Sequence, residues 1–415
     1  MILRARVVLP MSQPPIDDGA VVISGGRIRA VGRWSDLAAT PAENTFDLGE
    51  SVLLPGLVNA HCHLDYTDLA GQVALPKSFA DWIKALVALK AGWDYSDFAQ
   101  SWLHGAKMLL RSGVTTVADI EAVPVLLPEV SESTPLRVIS FLEMISFKSS
   151  HSAREMVRTA VEKLKSLPRE QFRGGLSPHA PYTTGPELLQ LAASTARQKK
   201  LRLTMHVAES AEEFDMFCHR RGPLFDWLKS QRDMSDCGMR SPVRHLDRHG
   251  MLAENLLAVH VNYLADGDAN LLSKRGVSVA HCPRSHAYFR HQRFPLEELT
   301  NRGVNVCLGT DSLVSMAKIR RRQLELNMFS EMQSLAANTP ALAPERILRM
   351  ATINAAKALG LEKRIGEISN GALADVIVIP FEAKKKSAYD AVVNHSEAVA
   401  GSMIAGQWAV QPEIG

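Results

Sequence analysis

The chain has 415 residues, 46% hydrophobic and 22% charged, which suits a soluble globular protein with room for one large domain and a smaller companion, or for two to three ordinary domains. Lys and Arg number 47 against 44 Asp and Glu, for a formal charge of +3, and no cationic run exceeds Lys384-Lys385-Lys386, which reads as a solvated loop. Nucleic acid is therefore not an expected partner, since gripping a phosphate backbone needs many clustered cations.

The five cysteines, Cys62, Cys218, Cys237, Cys282 and Cys307, lack CxxC spacing, against both a disulfide framework and a cysteine-rich zinc site. The start, MILRARVVLPM, has no apolar region of signal-peptide length, and no segment reaches the roughly 18 apolar residues of a spanning helix. The expectation is a cytoplasmic protein without a membrane partner.

In chain order, the first elements read as short strands over 7–9 and 20–24, then the Gly25-Gly26 turn and a strand over 28–31, a hairpin signal. The last elements have the same texture, with apolar runs over 375–379, ending at Pro380, and over 401–408. Between them, short apolar runs alternate with helical stretches over 101–110, 153–167, 187–199 and 344–359. Such alternation predicts repeated βα units and a parallel sheet. The candidate strands span 52–57, 114–117, 137–141, 174–177, 201–205, 257–261, 277–281 and 304–308. Eight strands suit an α/β fold closed as a (β/α)8 TIM barrel. The open doubly wound alternative lacks a GxGxxG after any strand. We expect the barrel over 55–362 and a small discontinuous β-sandwich domain from 1–54 and 363–415, because barrel termini lie close together.

The polar residues of interest fall at strand ends. His61 and His63 follow the first run and, two apart in an extended segment, point to the same side. His179 follows the fourth strand, His206 ends the fifth, His260 lies in the sixth, His281 closes the seventh and Asp311 follows the eighth. A lone histidine there is more often a hydrogen-bonded core residue than a ligand. Six histidines and one aspartate timed to strand ends are the pattern of a barrel active site. Cys62, between two of them, faces the other way as a small buried hydrophobe.

The stretch Leu54-Pro55-Gly56-Leu57-Val58-Asn59-Ala60-His61-Cys62-His63-Leu64-Asp65 resembles the entry motif of the amidohydrolase superfamily, in its chlorohydrolase/nucleobase-deaminase branch. Ser177-Pro178-His179-Ala180-Pro181-Tyr182, His206-Val207-Ala208-Glu209-Ser210, His281-Cys282-Pro283-Arg284-Ser285, Leu308-Gly309-Thr310-Asp311-Ser312, Gly366-Glu367-Ile368 and Gly371-Ala372-Leu373-Ala374-Asp375 continue it in family order. The resemblance implies one divalent ion, Zn²⁺ or Fe²⁺, on His61, His63, His206 and Asp311, with a position open for water. It makes Glu209 the proton shuttle, His260 the group that polarises water or steadies the intermediate, and Asp311 an acceptor of the water's proton. It implies substrate contacts for His179 and Ser312, and for His281 either such a contact or a packing role. No lysine ends the fourth strand, where relatives with two metals carry one, and the HxE…PCxxC pattern of cytidine-type deaminases is missing.

Asp65-Tyr66-Thr67-Asp68-Leu69 followed by Phe79-Ala80-Asp81-Trp82-Ile83 resembles the aminodeoxyfutalosine deaminase subgroup, which acts on a menaquinone precursor, as does the stretch from Ser241 to Asp247. Trp82 is then a substrate contact, with helix packing as the alternative. The segment of about fifty residues between Glu209 and His260 is long for a βα connection and is expected to cover the barrel mouth. His286 stands where relatives carry Asn, and Arg284, His286, Arg290 and His291 make that loop basic. Arg284 is the candidate clamp for a substrate carboxylate, against a solvated loop. The expected activity is hydrolytic deamination of an aminopurine nucleoside. Guanine, methylthioadenosine or S-adenosylhomocysteine deaminase and chlorotriazine hydrolase are the alternatives within the branch, and an inactive binding barrel is the alternative outside it. The family resemblance also implies a homodimer.

Overall fold

The computed structural model describes residues 1–147, 149–167, 174–316, 323–382 and 387–412; the Lys384-Lys385-Lys386 run lies outside the described residues. Both chain ends contribute to one mixed sheet. Its strands run in the order Gln407–Val410, Gly401–Ile404, Val376–Pro380, Ser51–Pro55, Ile2–Val8, Ile16–Ser24 and Arg27–Arg33, with Thr45–Asp47 also pairing Ile2–Val8. The Gly25-Gly26 hairpin forms as expected, both glycines taking the positive φ that a tight two-residue turn requires. The sheet curls on itself. A Cβ on Gly406 would lie 2.8 Å from Gly26, and Leu3, Val21, Ile28, Val376 and Met403 share one core, so the two layers of the expected sandwich are the halves of a single sheet.

The second sheet has eight parallel strands in sequence order: β1 (Leu57–Cys62), β2 (Val114–Glu121), β3 (Arg137–Met144), β4 (Gly175–Pro178), β5 (Arg202–Val207), β6 (Leu256–His260), β7 (Ser278–His281) and β8 (Asn305–Leu308). Helices such as Tyr95–Arg111, Ala153–Ser166 and Pro186–Lys199 pack outside it, and this is the (β/α)8 barrel. Among the described residues no helix is long and apolar enough to cross a membrane.

Two elements differ from expectation. The run over 52–57 is not the first barrel strand. Ser51–Pro55 belongs to the terminal sheet, pairing with Ile2–Val8 and Val376–Pro380, and the barrel begins at Leu57. Both strands are buried throughout, so they read as one apolar run. The chain changes sheets at Gly56, where a Cβ would lie 2.1 Å from Thr115 Oγ1. The helix expected over 344–359 is broken into Pro344–Met350 and Ile353–Ala358. Between them the Ala351 carbonyl accepts a hydrogen bond from Val58 N at 2.8 Å, which ties the break to β1.

The barrel closes between β1 and β8. Cys62 and Asp311 form a parallel bridge, and Thr310 N and Asp311 N both donate to the His61 carbonyl, at 3.0 and 3.1 Å. Gly309 makes this approach possible, since a Cβ there would lie 2.8 Å from His61 Cβ and 2.9 Å from its carbonyl oxygen. Gly309→Ala is therefore expected to destabilise the protein by about 1–3 kcal/mol, the cost of overpacking a rigid interior. A shift of the urea midpoint at unchanged slope would show it.

Candidate active site

Seam closure places His61 and His63 opposite Asp311. Their Nε2 atoms lie 3.6 and 3.7 Å from Asp311 Oδ1. His206 comes in from β5, its Nε2 3.3 Å from that of His61 and 3.4 Å from that of His63. His206 Nδ1 donates to the His179 carbonyl at 2.9 Å, which leaves its Nε2 lone pair facing the other two imidazoles. Burial, foremost, pulls His206 down to about 3 and His63 well below the usual histidine range, so both rings are neutral bases. In this buried pocket His61, His63 and Asp311 form one donor group that could hold a divalent ion, and His61, His206 and His260 form another.

Glu209 and His260 complete the cluster. Glu209 Oε1 lies 3.6 Å from His260 Nε2, which has no hydrogen-bond partner among the described residues, and both groups lie within ligand reach of Asp311. Burial, with the charges of Asp311 and Glu213, pushes the Glu209 carboxyl well above the usual carboxylate range, so it can hold a proton in a dry cleft. The strand ends bend sharply to aim these groups. Ala208, His260, Val261 and Asp311 all have positive φ, a costly conformation for residues with side chains.

A surrounding layer fixes the cluster. Asp119 accepts from Leu64 N, just past His63, and from Trp102 Nε1, both at 2.9 Å. Asn59 bridges to Thr310, and Ser315 Oγ donates to Asp311 Oδ2 at 3.0 Å. The Glu213 carboxylate accepts from the amides of Ala208 and Glu209 at 3.0 and 2.9 Å, and Asn262 Nδ2 donates to the Glu209 carbonyl. None of these positions stood out in the sequence by residue type. Ser210-Ala211-Glu212-Glu213 was legible as a helix-start S-x-x-E signature. Here, however, Glu213 reaches back to the two residues before the cap.

The remaining expected site residues divide. His179, half-buried, has its ring 4.9 Å from that of His206 and its Nδ1 2.8 Å from Thr183 Oγ1. Trp82 lies in an aromatic roof with Phe79, Tyr182 and Phe289, close to Tyr66, with its buried Nε1 turned to the Tyr288 hydroxyl. The long segment after Glu209 reaches the mouth as expected: Arg232 donates to the carbonyls of Pro181 and Tyr182 and pairs with Asp236. His281 stacks on Phe294 with ring centres 3.8 Å apart, a packing role. Ser312 Oγ lies 3.5 Å from Ser315 Oγ, and it is Ser315 that reaches Asp311. Arg284 donates to the Glu325 carbonyl at 2.9 Å and lies 3.6 Å from the buried Glu331 carboxylate, so its guanidinium is engaged within the fold. His286 Nδ1 lies 3.0 Å from Asn262 Oδ1, linking that loop to the residue that holds Glu209.

Comparison with known proteins agrees with this architecture. Residues 52–409 match the amidohydrolase family, and residues 19–40 match an imidazolonepropionase-like composite domain of bacteria. A 5-methylthioadenosine/S-adenosylhomocysteine deaminase of Syntrophobacter fumaroxidans is 33% identical over 383 residues, covering 88% of this chain and 80% of its own. The crystal structure of an adenosine deaminase from Xanthomonas campestris, with bound zinc, has a TM-score of 0.86 at 26% identity, covering 100% of this chain and 93% of that one. Helicobacter pylori aminofutalosine deaminase, in complex with methylthio-coformycin, has a TM-score of 0.85 at 22% identity over 98% and 99% of the two chains, a likeness of fold. The family match spans most of the sequence, and the chain belongs to the amidohydrolase family.

Proposed function

We propose that this chain hydrolyses the exocyclic amino group from an adenine-type nucleoside and releases ammonia, using one divalent ion, zinc or iron, on His61, His63, His206 and Asp311. The observation that carries the reading is the buried Glu209 carboxyl 3.6 Å from His260, beside that donor set. An ion bound there supplies Lewis acidity, which brings the pKa of a water towards neutrality. Glu209 delivers a proton to the ring nitrogen beside the carbon under attack. Asp311 accepts the proton of the attacking water, and the unpartnered His260 Nε2 faces the negative charge that develops. Tyr66, Phe79, Trp82 and Tyr182 offer flat faces against which a purine nucleoside packs.

Within this class we favour an aminodeoxyfutalosine-like nucleoside. The support is the run from Asp65 to Leu69 and the Phe79–Trp82 pair, together with the fold likeness to the Helicobacter enzyme. Methylthioadenosine or S-adenosylhomocysteine is the second reading, favoured by the 33% identity of the Syntrophobacter relative.

An ammonia-release screen over adenine nucleosides with and without a carboxylate tests both; no release from any of them by metal-loaded protein would remove the deaminase reading. Glu209→Gln is expected to keep its metal while kcat falls by about two to four orders of magnitude, the usual worth of a general acid–base group. Activity near wild type in that variant would mean that the proton carrier is another residue. Glu213→Ala frees the two amides that hold Glu209 and is expected to cost about 10- to 100-fold in kcat, as losses of outer-shell partners do. Unchanged kcat in that variant would show that Glu209 is held by other contacts.

A further inference from the structure

Among the described residues, a lysine near His63 is held by an aromatic ring and by no acid. Lys90 is the last residue of the helix Phe79–Lys90, half-buried, with its Nζ 4.2 Å from the centre of the Tyr66 ring. The Tyr66 ring lies 5.1 Å from the ring of His63. Among the described residues the ammonium forms neither an ion pair nor a hydrogen bond. Its charge still reaches the site. After burial it is the largest influence lowering His179, and it also lowers His63.

A lysine in a last helical turn serves the helix dipole equally well from open solvent. Here the stem folds back over Tyr66, where the ring's negative face attracts the ammonium and part of its hydration is lost. The acids on this side are Asp65 and Glu143, and neither pairs with it. Both Asp65 carboxylate oxygens are sealed from solvent, and Lys90 bears on that carboxyl through its charge alone. Lys90 thus holds its charge against Tyr66, whose ring borders that of His63. Arg284, the cation that the sequence offered for this task, is engaged with Glu331 and the Glu325 carbonyl.

We propose that Lys90 is a specificity-determining residue that receives an anionic group, a carboxylate, on the part of the nucleoside remote from the reacting ring. The inference rests on the deaminase reading above. A half-desolvated ammonium gains more from a carboxylate than from a hydroxyl, because the carboxylate adds the attraction of an opposite charge to the hydrogen bond.

The test compares 5′-methylthioadenosine with 5′-carboxymethylthio-5′-deoxyadenosine, which differ by one carboxylate, on metal-loaded wild-type protein, Lys90→Met and Lys90→Arg. Methionine keeps the apolar stem over Tyr66 and removes the charge. The expected result in Lys90→Met is a rise of about tenfold in the ratio of KM for the acid to KM for the neutral compound, with the kcat ratio unmoved and with Lys90→Arg restoring discrimination. The acid's KM should also rise with ionic strength in wild type and lose that dependence in Lys90→Met. An equal KM rise for both compounds would mean that Lys90 holds a group common to them, and no change would mean that it holds none; either overturns the proposal. If wild type deaminates neither compound, the nucleoside screen still decides the deaminase reading, and calorimetric titration of the same pair decides the inference by itself. Preference for the acid that disappears in Lys90→Met sustains it, and equal binding of both compounds overturns it.

Discussion

The site depends on one contact, the closing of the barrel between β1 and β8. There the His61 carbonyl accepts from two consecutive amides, and Asp311 is carried across the seam to face the imidazoles of His61 and His63. The contact works only because residue 309 has no side chain. The same bonds that make the sheet a cylinder therefore bring together donors from the two ends of the barrel sequence. Neither β1 nor β8 would hold its ligands at that spacing as a free edge.

Strain and burial are balanced around that seam. Four residues lining the cluster adopt positive φ, at about 1–3 kcal/mol each. Such bends persist only where the surroundings over-determine them, and here they do. Glu213 and Asn262 hold the backbone around Glu209, Asp119 holds the turn after His63, and Ser315 holds the Asp311 carboxylate. Burial that keeps the imidazoles neutral also keeps the Glu209 carboxyl reluctant to ionise. One dry environment thus produces a neutral ligand set and a proton carrier with opposite signs of shift.

What the sequence disclosed follows the periods of its elements. A two-residue spacing in an extended run put His61 and His63 on one side, and polar residues timed to strand ends marked the mouth, because those positions read directly from β geometry. The boundary at Gly56 was illegible since both flanking strands are wholly buried, and an apolar run carries no sign of which sheet it joins. Arg284 pointed the wrong way for a related reason: whether a guanidinium faces substrate or a buried acid depends on Glu331, nearly fifty positions on, which no local pattern connects to it. Nothing in the sequence sets Lys90 apart from other basic residues. Only the folded chain shows its stem turned over Tyr66.

The terminal sheet has a consequence for how the molecule is made. Ser51–Pro55 lies between Ile2–Val8 and Val376–Pro380, so one of its edges stays unpaired until that much later strand has been made. The strand that completes the barrel is likewise the last of the eight to be synthesised. Two sheets with long-range pairings thus wait on late segments, a topology that slows folding and leaves early strands exposed to wrong partners. The cluster is likewise completed late, because His61 and His63 are made well before Asp311, which joins them only when the seam shuts.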